Sequence, residues 1–453
     1  MQANQGLPRR RSRREFLRTS TLALAGGGLL AGAGRPVFAA HAGGGDLLRI
    51  GLVGCGGRGT GAAAEALNAD RNVKLVAMAD LFQDRLKGSL ANLLSARRGQ
   101  RPSGAEGPGL AEDIAKKIDV PPERQFVGFD AYKQLIASGV DVVLLATPPH
   151  FRPLHLKAAV DAGLHVFAEK PVAVDAPGVR SVLATCAEAK TKGLSVVSGL
   201  CLRNHFGFRE LVRRIHDGAI GQIHTLQAND YRGAIWTRKR LPEWTDMHWQ
   251  TRNWYYYTWL SGDFNVEQHV HFLDVCAWIM KERYPARAIG MGGRQVRTGP
   301  QYGNIYDHHS VVYEYDDGTK FFSNTRQMPD CAGDMSAHAA GSQGRAEVRE
   351  VRGGANLTSN GQKWVYRGVD NNIYQTEHDE MFAAIRKGQP INNGGYMAHS
   401  TLLAILGRMV TYTGQSITWE QAMNSKEDLT PPRYEWGPLP EPPVAMPGVT
   451  RFV

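Results

Sequence analysis

Cysteine is scarce: five residues in 453 (Cys55, Cys186, Cys201, Cys276 and Cys331), odd in number, widely spaced and without a Cys-x-x-Cys pair. That excludes a disulfide framework and a thiolate zinc site, leaving most of the cysteines as small buried hydrophobes. Several histidines stand in the second half (His248, His269, His271, His308, His309), but no His-x-x-x-His pair or His-Glu-x-x-His helix joins them, so no metal is expected. The apolar run 19–34 is too short and too glycine-rich for a permanent membrane span. A large excess of positive charge is missing as well. The formal net charge is +10, yet residues 1–40 carry seven arginines against Glu15 and hold +6 of it. What remains is too little to argue for a nucleic-acid surface. With 42% hydrophobic, 21% charged and 9% aromatic residues the chain is an ordinary folded protein, and its length predicts two domains after a leader.

The leader is the first feature that is present. Arg13-Arg14-Glu15-Phe16-Leu17-Arg18 precedes the apolar run, and Ala39-Ala40 supplies small residues for cleavage. This is the order of an export signal, and the paired arginines resemble the twin-arginine type, which carries folded proteins. A periplasmic or otherwise exported protein is expected, with no membrane span once residues 1–40 are removed.

Beyond the leader, residues 47–53 read as a short apolar strand running into Gly54-Cys55-Gly56-Gly57-Arg58-Gly59 and an alanine-rich helix. Gly54, Gly56 and Gly59 fit a dinucleotide-binding turn: one for the tight turn, one for close approach of a pyrophosphate, one for packing helix on strand. A second strand ends at Asp80, 21 residues past Gly59, where a carboxylate accepts the ribose hydroxyls of NAD and repels a 2′-phosphate. NAD is therefore expected ahead of NADP, with Arg58 and Arg85 leaving room for the latter. Further buried strands end in Thr147-Pro148 and in Glu169-Lys170, which predicts a doubly wound parallel sheet with ligands at its carboxyl end.

These motifs, with His155 and the run Gly163-Leu164-His165-Val166 before Glu169-Lys170-Pro171, resemble the glucose–fructose oxidoreductase / inositol dehydrogenase (Gfo/Idh/MocA) family over roughly residues 48–175. The resemblance implies an α/β protein: an N-terminal Rossmann domain (46–200) followed by an α+β domain with a large, mainly antiparallel open sheet (201–430). It implies NAD as cofactor, held by residues that include Gly57, Arg58, Thr147, Pro148, His155, Glu169 and Lys170. It also implies a small carbohydrate or cyclitol substrate and a homodimer or homotetramer. On its own terms the second half shows strand patterns at 310–315 and 320–325 about an Asp316-Asp317-Gly318-Thr319 turn, which is a hairpin signal. Residues 431–453 read as a proline-rich arm or tail.

Removing hydride from a secondary alcohol needs a base for the hydroxyl proton and a group that steadies the alkoxide. By the resemblance, Lys170 and His271 supply these and Glu267 orients them or relays protons. Glu267, His271 and Asp274 are spaced to share one face of a helix that opens near Asp263. The family usually has Asp where this chain has Glu267 and Gly where it has His269. Lys170 could instead form a structural ion pair with Glu169 or another acid, and His271 could be a satisfied core histidine. The aromatic segment 244–259, with Trp254 and Tyr255 as candidate substrate contacts, would stack on sugar rings or form a core cluster. The leading expectation is an NAD-dependent oxidoreductase of a sugar, glycoside or cyclitol. An NAD-dependent glycosidase working by oxidation, elimination and re-reduction is the alternative. A non-catalytic sensor would need neither Lys170 nor His271.

Overall fold

Two sheets organise the chain. In the computed structural model, residues 46–96, 114–350 and 354–453 are described; the expected leader and most of the loop expected at 95–110 lie outside them. The first sheet is six-stranded and wholly parallel: β1 (Leu48–Val53), β2 (Val73–Asp80), β3 (Gln125–Val127), β4 (Val142–Leu145), β5 (His165–Ala168) and β6 (Val196–Ser198), in the order β3-β2-β1-β4-β5-β6. Every residue of β4 and β5 is buried, as expected for strands covered by helices on both faces. The order reverses between β1 and β4, and such a reversal opens a crevice at the carboxyl ends of the strands.

The second sheet has nine strands: β7 (Ile223–Arg232), β8 (Arg287–Gly293), β9 (His308–Glu314), β10 (Lys320–Gln327), β11 (Asp334–Gly341), β12 (Gly344–Arg349), β13 (Gly354–Ser359), β14 (Gln362–Val365) and β15 (Ile417–Thr418), ordered β14-β13-β12-β11-β7-β10-β9-β8-β15. Only β7 and β10 run parallel; the other pairs are antiparallel. The expected hairpin is β9–β10. Burial alternates along β9, so one face is covered and the other open. Helices Val270–Ile279 and Gly394–Thr413 cover the buried face, and the second also packs on helix Ala176–Thr191 beside the first sheet. A continuous apolar core, including Val166, Leu273 and Leu402, thus joins both sheets. Among the described residues, no helix is long and apolar enough to cross a membrane.

The helix expected from Asp263 onward is broken. Gly262 and Asp263 both have positive φ, a four-residue helix Phe264–Glu267 follows, and a new helix starts at Val270. The cause is local. The carbonyl of Glu267, which a continuous helix would pair with the N–H of His271, instead accepts from Lys170 Nζ at 2.6 Å. The His271 N–H turns to the Gln268 carbonyl at 3.4 Å.

Candidate active site

The glycine turn shows why small residues stand there. Gly54 has φ +98°, and a Cβ on it would lie 2.6 Å from the Ala146–Thr147 peptide. A Cβ on Gly59 would meet the Gly54 carbonyl. A Cβ on Gly56 would meet nothing within 4 Å. Gly56 therefore faces open space at the N-terminus of helix Gly57–Ala69, where unpaired N–H groups suit a pyrophosphate. The cleft there measures about 390 Å³ and is lined by Gly54, Gly56, Gly57, Arg58, Gly59 and Asp80, together with Thr147, Pro148 and His155. The Asp80 carboxylate accepts from Cys55 N at 2.6 Å and Phe82 N at 2.8 Å, which fixes it at the end of β2. Burial raises its pKa above the ordinary carboxyl value. His155 lies 3.4 Å from Thr147 Oγ1 and stacks on Tyr132; burial and the nearby Arg152 hold its pKa down at about 3, so it is neutral.

Arg58 lines this cleft, but its guanidinium is turned to three carboxylates: Glu65 at 2.8 Å, Glu377 at 3.1 Å, and Glu169 in a close pair. It is committed to that cluster and is not free to receive a 2′-phosphate, as the sequence alone had allowed. Arg85, Arg238 and Arg252 line the cleft instead, with Arg252 paired to Asp84 at 2.7 Å.

A second cavity of about 400 Å³ shares Arg58, Ala146, Thr147, Trp236 and Trp254 with the first. Lys170, Glu267, His271, Glu169 and Tyr255 stand on its walls. Lys170 pairs with Glu267 (3.1 Å to Oε1) and not with Glu169, because Glu169 is held by Arg58 and by the backbone N–H of Lys170 itself. His271 lies within the electrostatic reach of three cations, Lys170, Arg232 and Arg58. Burial first, then these charges, drives its pKa well below 6.5, and its Nδ1 has no hydrogen-bond partner among the described residues. It is thus a neutral imidazole facing a cavity. Tyr255 accepts a hydrogen bond from Gln327 Nε2 at 2.7 Å, leaving its own proton free to be donated.

Asp274, which the helical spacing had grouped with this site, stands apart from it, and so do His269 and His309. Asp274 is buried under a bidentate pair with Arg203 (2.7 and 2.8 Å) and a bond from Ser400. His269 turns beneath the sheet to Ser323 at 2.9 Å. His309 joins Asp263 at 3.2 Å. Of the aromatic segment, Trp254 and Tyr255 reach the cavity; Tyr255 also belongs to an apolar cluster with Trp249, Tyr256, Tyr257, Trp259, Phe264 and Ile305, and Trp254 packs against that cluster. Trp236, Arg232 and Gln327 line the cavity without any motif to announce them; only their place at or just beyond the ends of β7 and β10 brings them there. Among the described residues no group of three or more His, Cys, Asp or Glu is arranged to hold a metal ion.

A parallel sheet with a glycine turn at its switch point, opening on a cavity walled by lysine, histidine and glutamate, defines a nucleotide-dependent α/β protein. Residues 48–197 match the model of the Gfo/Idh/MocA oxidoreductase family, NAD-binding Rossmann fold. It is 25% identical over 212 residues to 2,7-anhydro-N-acetylneuraminate hydratase from Escherichia coli, covering 47% of this chain and 51% of the relative. It is 23% identical to inositol 2-dehydrogenase from Rhizobium meliloti, covering 77% and 92%. The chain thus spans about half the length of the first of these relatives. Among solved structures, an oxidoreductase from Agrobacterium radiobacter in complex with NAD+, L-tartaric acid and magnesium superposes with a TM-score of 0.59 at 14% identity, covering 83% of this chain and 99% of that one.

Proposed function

We propose that the protein is an NAD-dependent oxidoreductase acting on a secondary hydroxyl of a sugar, glycoside or cyclitol. One observation carries the reading: Lys170, His271 and Glu267 converge on a cavity that shares its walls with the nucleotide cleft. Gly54, Gly56, Gly59 and Asp80 would hold the nucleotide, with Thr147, Pro148 and His155 along its other side. Bound there, it supplies the hydride acceptor. The protein's own residues handle the proton. Neutral His271 accepts it from the hydroxyl, and the Lys170 ammonium, aimed by the Glu267 carbonyl and carboxylate, steadies the developing alkoxide. Trp254 and Tyr255 would pack on the ring. The relatives named inositol 2-dehydrogenase and anhydro-N-acetylneuraminate hydratase both act on sugar-like molecules by their names. The second name describes no net oxidation, and this favours keeping the glycosidase reading, in which oxidation is transient. Denaturing the purified protein and identifying the released nucleotide tests the first part. Screening cyclitols and glycosides for carbonyl formation and for aglycone release separates the two readings, because net cleavage without net NADH belongs only to the second.

Asp80 should set the nucleotide preference. A 2′-phosphate would meet its carboxylate, so NAD should bind more tightly than NADP, and equal affinities would refute the assignment. Asp80→Ser should narrow the preference by about tenfold, or ~1.4 kcal/mol, since it leaves Arg85 and Arg238 in the same cleft to receive the phosphate.

Export through the twin-arginine route is proposed from Arg13 and Arg14. Replacing both by Lys should stop delivery across the membrane and leave folding intact; normal delivery of the double variant would show that the pair is not the signal. We also propose a homo-oligomer paired through the open face of the second sheet, where Ile289 and Phe322 both flank Val312 in register and are exposed.

A further inference from the structure

Residues 434–439 of the tail return to the nucleotide cleft. Met247 N donates to the Gly437 carbonyl at 3.2 Å, Gln250 Nε2 to the Leu439 carbonyl at 2.8 Å, and Leu439 N to Asp246 Oδ2 at 3.2 Å. These three bonds tie the tail to helix Asp246–Arg252 of the second half. So anchored, Trp436 lies 5.0 Å from Phe129, 5.7 Å from Phe82 and 5.1 Å from His248, ring centre to ring centre. The Tyr434 hydroxyl bonds His150 Nε2 at 2.7 Å, and its ring lies 6.0 Å from Phe129.

Phe82 and Phe129 are walls of the nucleotide cleft. They follow β2 and β3, on the side of the sheet where an acid at the end of β2 marks the adenosine ribose. Phe82 is the more constrained. Its N–H holds the Asp80 carboxylate, the Arg252 guanidinium lies 3.7 Å from its ring centre, and Trp436 packs beside it. A chain of contacts therefore runs from the tail through Phe82 to the carboxylate that would read the ribose. Nothing in a βαβ unit supplies such a support. The wall is completed by residues about 170 and 350 positions further along the chain.

We infer that the tail segment around Tyr434 and Trp436 is part of the nucleotide site: it positions the adenosine-side wall and sets how tightly the dinucleotide is held. The inference rests on the nucleotide reading above. Trp436 is 46% exposed, so shortening it opens no large hole in a core. The loss should fall on the ligand instead. Phe82 and Phe129 wall the cleft, so loosening them should speed a nucleotide's escape.

The test uses the full chain, with NAD and ADP-ribose as probes. In Trp436→Ala both should bind about tenfold more weakly, by the same factor because both carry the adenosine end, and NAD should dissociate faster. The melting temperature without nucleotide should be unchanged, and Trp436→Phe should restore binding. Unchanged affinity and off-rate in Trp436→Ala, beside a wild type that binds NAD, would overturn the inference while leaving the proposed function standing. So would a loss matched by a lower melting temperature without nucleotide, since the tail would then be general support. A wild type that binds neither probe would overturn the proposed function itself, and this inference with it.

Discussion

Lys170→Met should abolish turnover and leave the nucleotide bound. Methionine keeps most of the stem volume, so the wall of the second cavity is nearly preserved, but the ammonium is gone. With it go the bonds to the Glu267 carbonyl at 2.6 Å and carboxylate at 3.1 Å, and the charge facing a developing alkoxide. Losing such a group costs about 10²–10⁴ in rate, roughly 3–5 kcal/mol in the barrier. The variant also strands the Glu267 carboxylate, whose side chain is only 12% exposed, so it should lose stability. Adding Glu267→Gln removes that stranded charge and should recover stability without recovering turnover. This separates the two roles. His271→Ala should cost a similar factor in rate, and the Lys170 and His271 losses should combine to much less than their product if the groups act as one unit. A near-normal rate in Lys170→Met, measured under saturating nucleotide with a substrate found in the screen, would make the lysine structural.

What was legible in the sequence follows the range of the forces involved. The glycine turn, the acid after β2 and the apolar runs of β4 and β5 are local: a turn needs its glycine within a few residues, and a buried strand shows its burial in its own letters. Glu169-Lys170-Pro171 and the hairpin of β9 and β10 were readable for the same reason. The break after Glu267 was not, because its cause is a lysine 97 residues earlier that takes a helical carbonyl. Helical spacing put Asp274 beside His271, and the choice of Arg203 as its partner, 71 residues away, moved it out of the site. The tail read as a proline-rich arm; that it closes on Phe82 and Phe129 is a matter of tertiary packing, which no periodicity encodes.

Arg58→Met should destabilise the protein more than any other single change considered, and the damage should grow as pH rises. One guanidinium serves Glu65, Glu169 and Glu377, whose side chains are 7, 8 and 0% exposed, and it lies against the Tyr374 ring at 4.8 Å. These groups come from the glycine-turn helix, the residue before Lys170, and helix Ile373–Arg386 of the second half, so the cluster is a rivet between the two halves. Removing the cation from buried partners costs about 3–5 kcal/mol, a large share of a typical total near 5–15 kcal/mol. The pH dependence has a definite sign. Burial pushes the Glu377 carboxyl well above its ordinary value, and Arg58 is the strongest influence pulling it back. A carboxyl with a raised folded-state pKa binds more protons folded than unfolded, so its stability contribution falls as pH rises from the ordinary carboxyl range toward the raised value. Without Arg58 that value rises further and the fall is deeper. Urea melts at pH 5 and pH 8 should therefore show the variant recovering on acidification by more than the wild type does, and Glu377→Gln added to Arg58→Met should flatten the difference. A destabilisation of the same size at both pH values would mean that Arg58 acts through packing on Tyr374 and Phe167 and not through its charge.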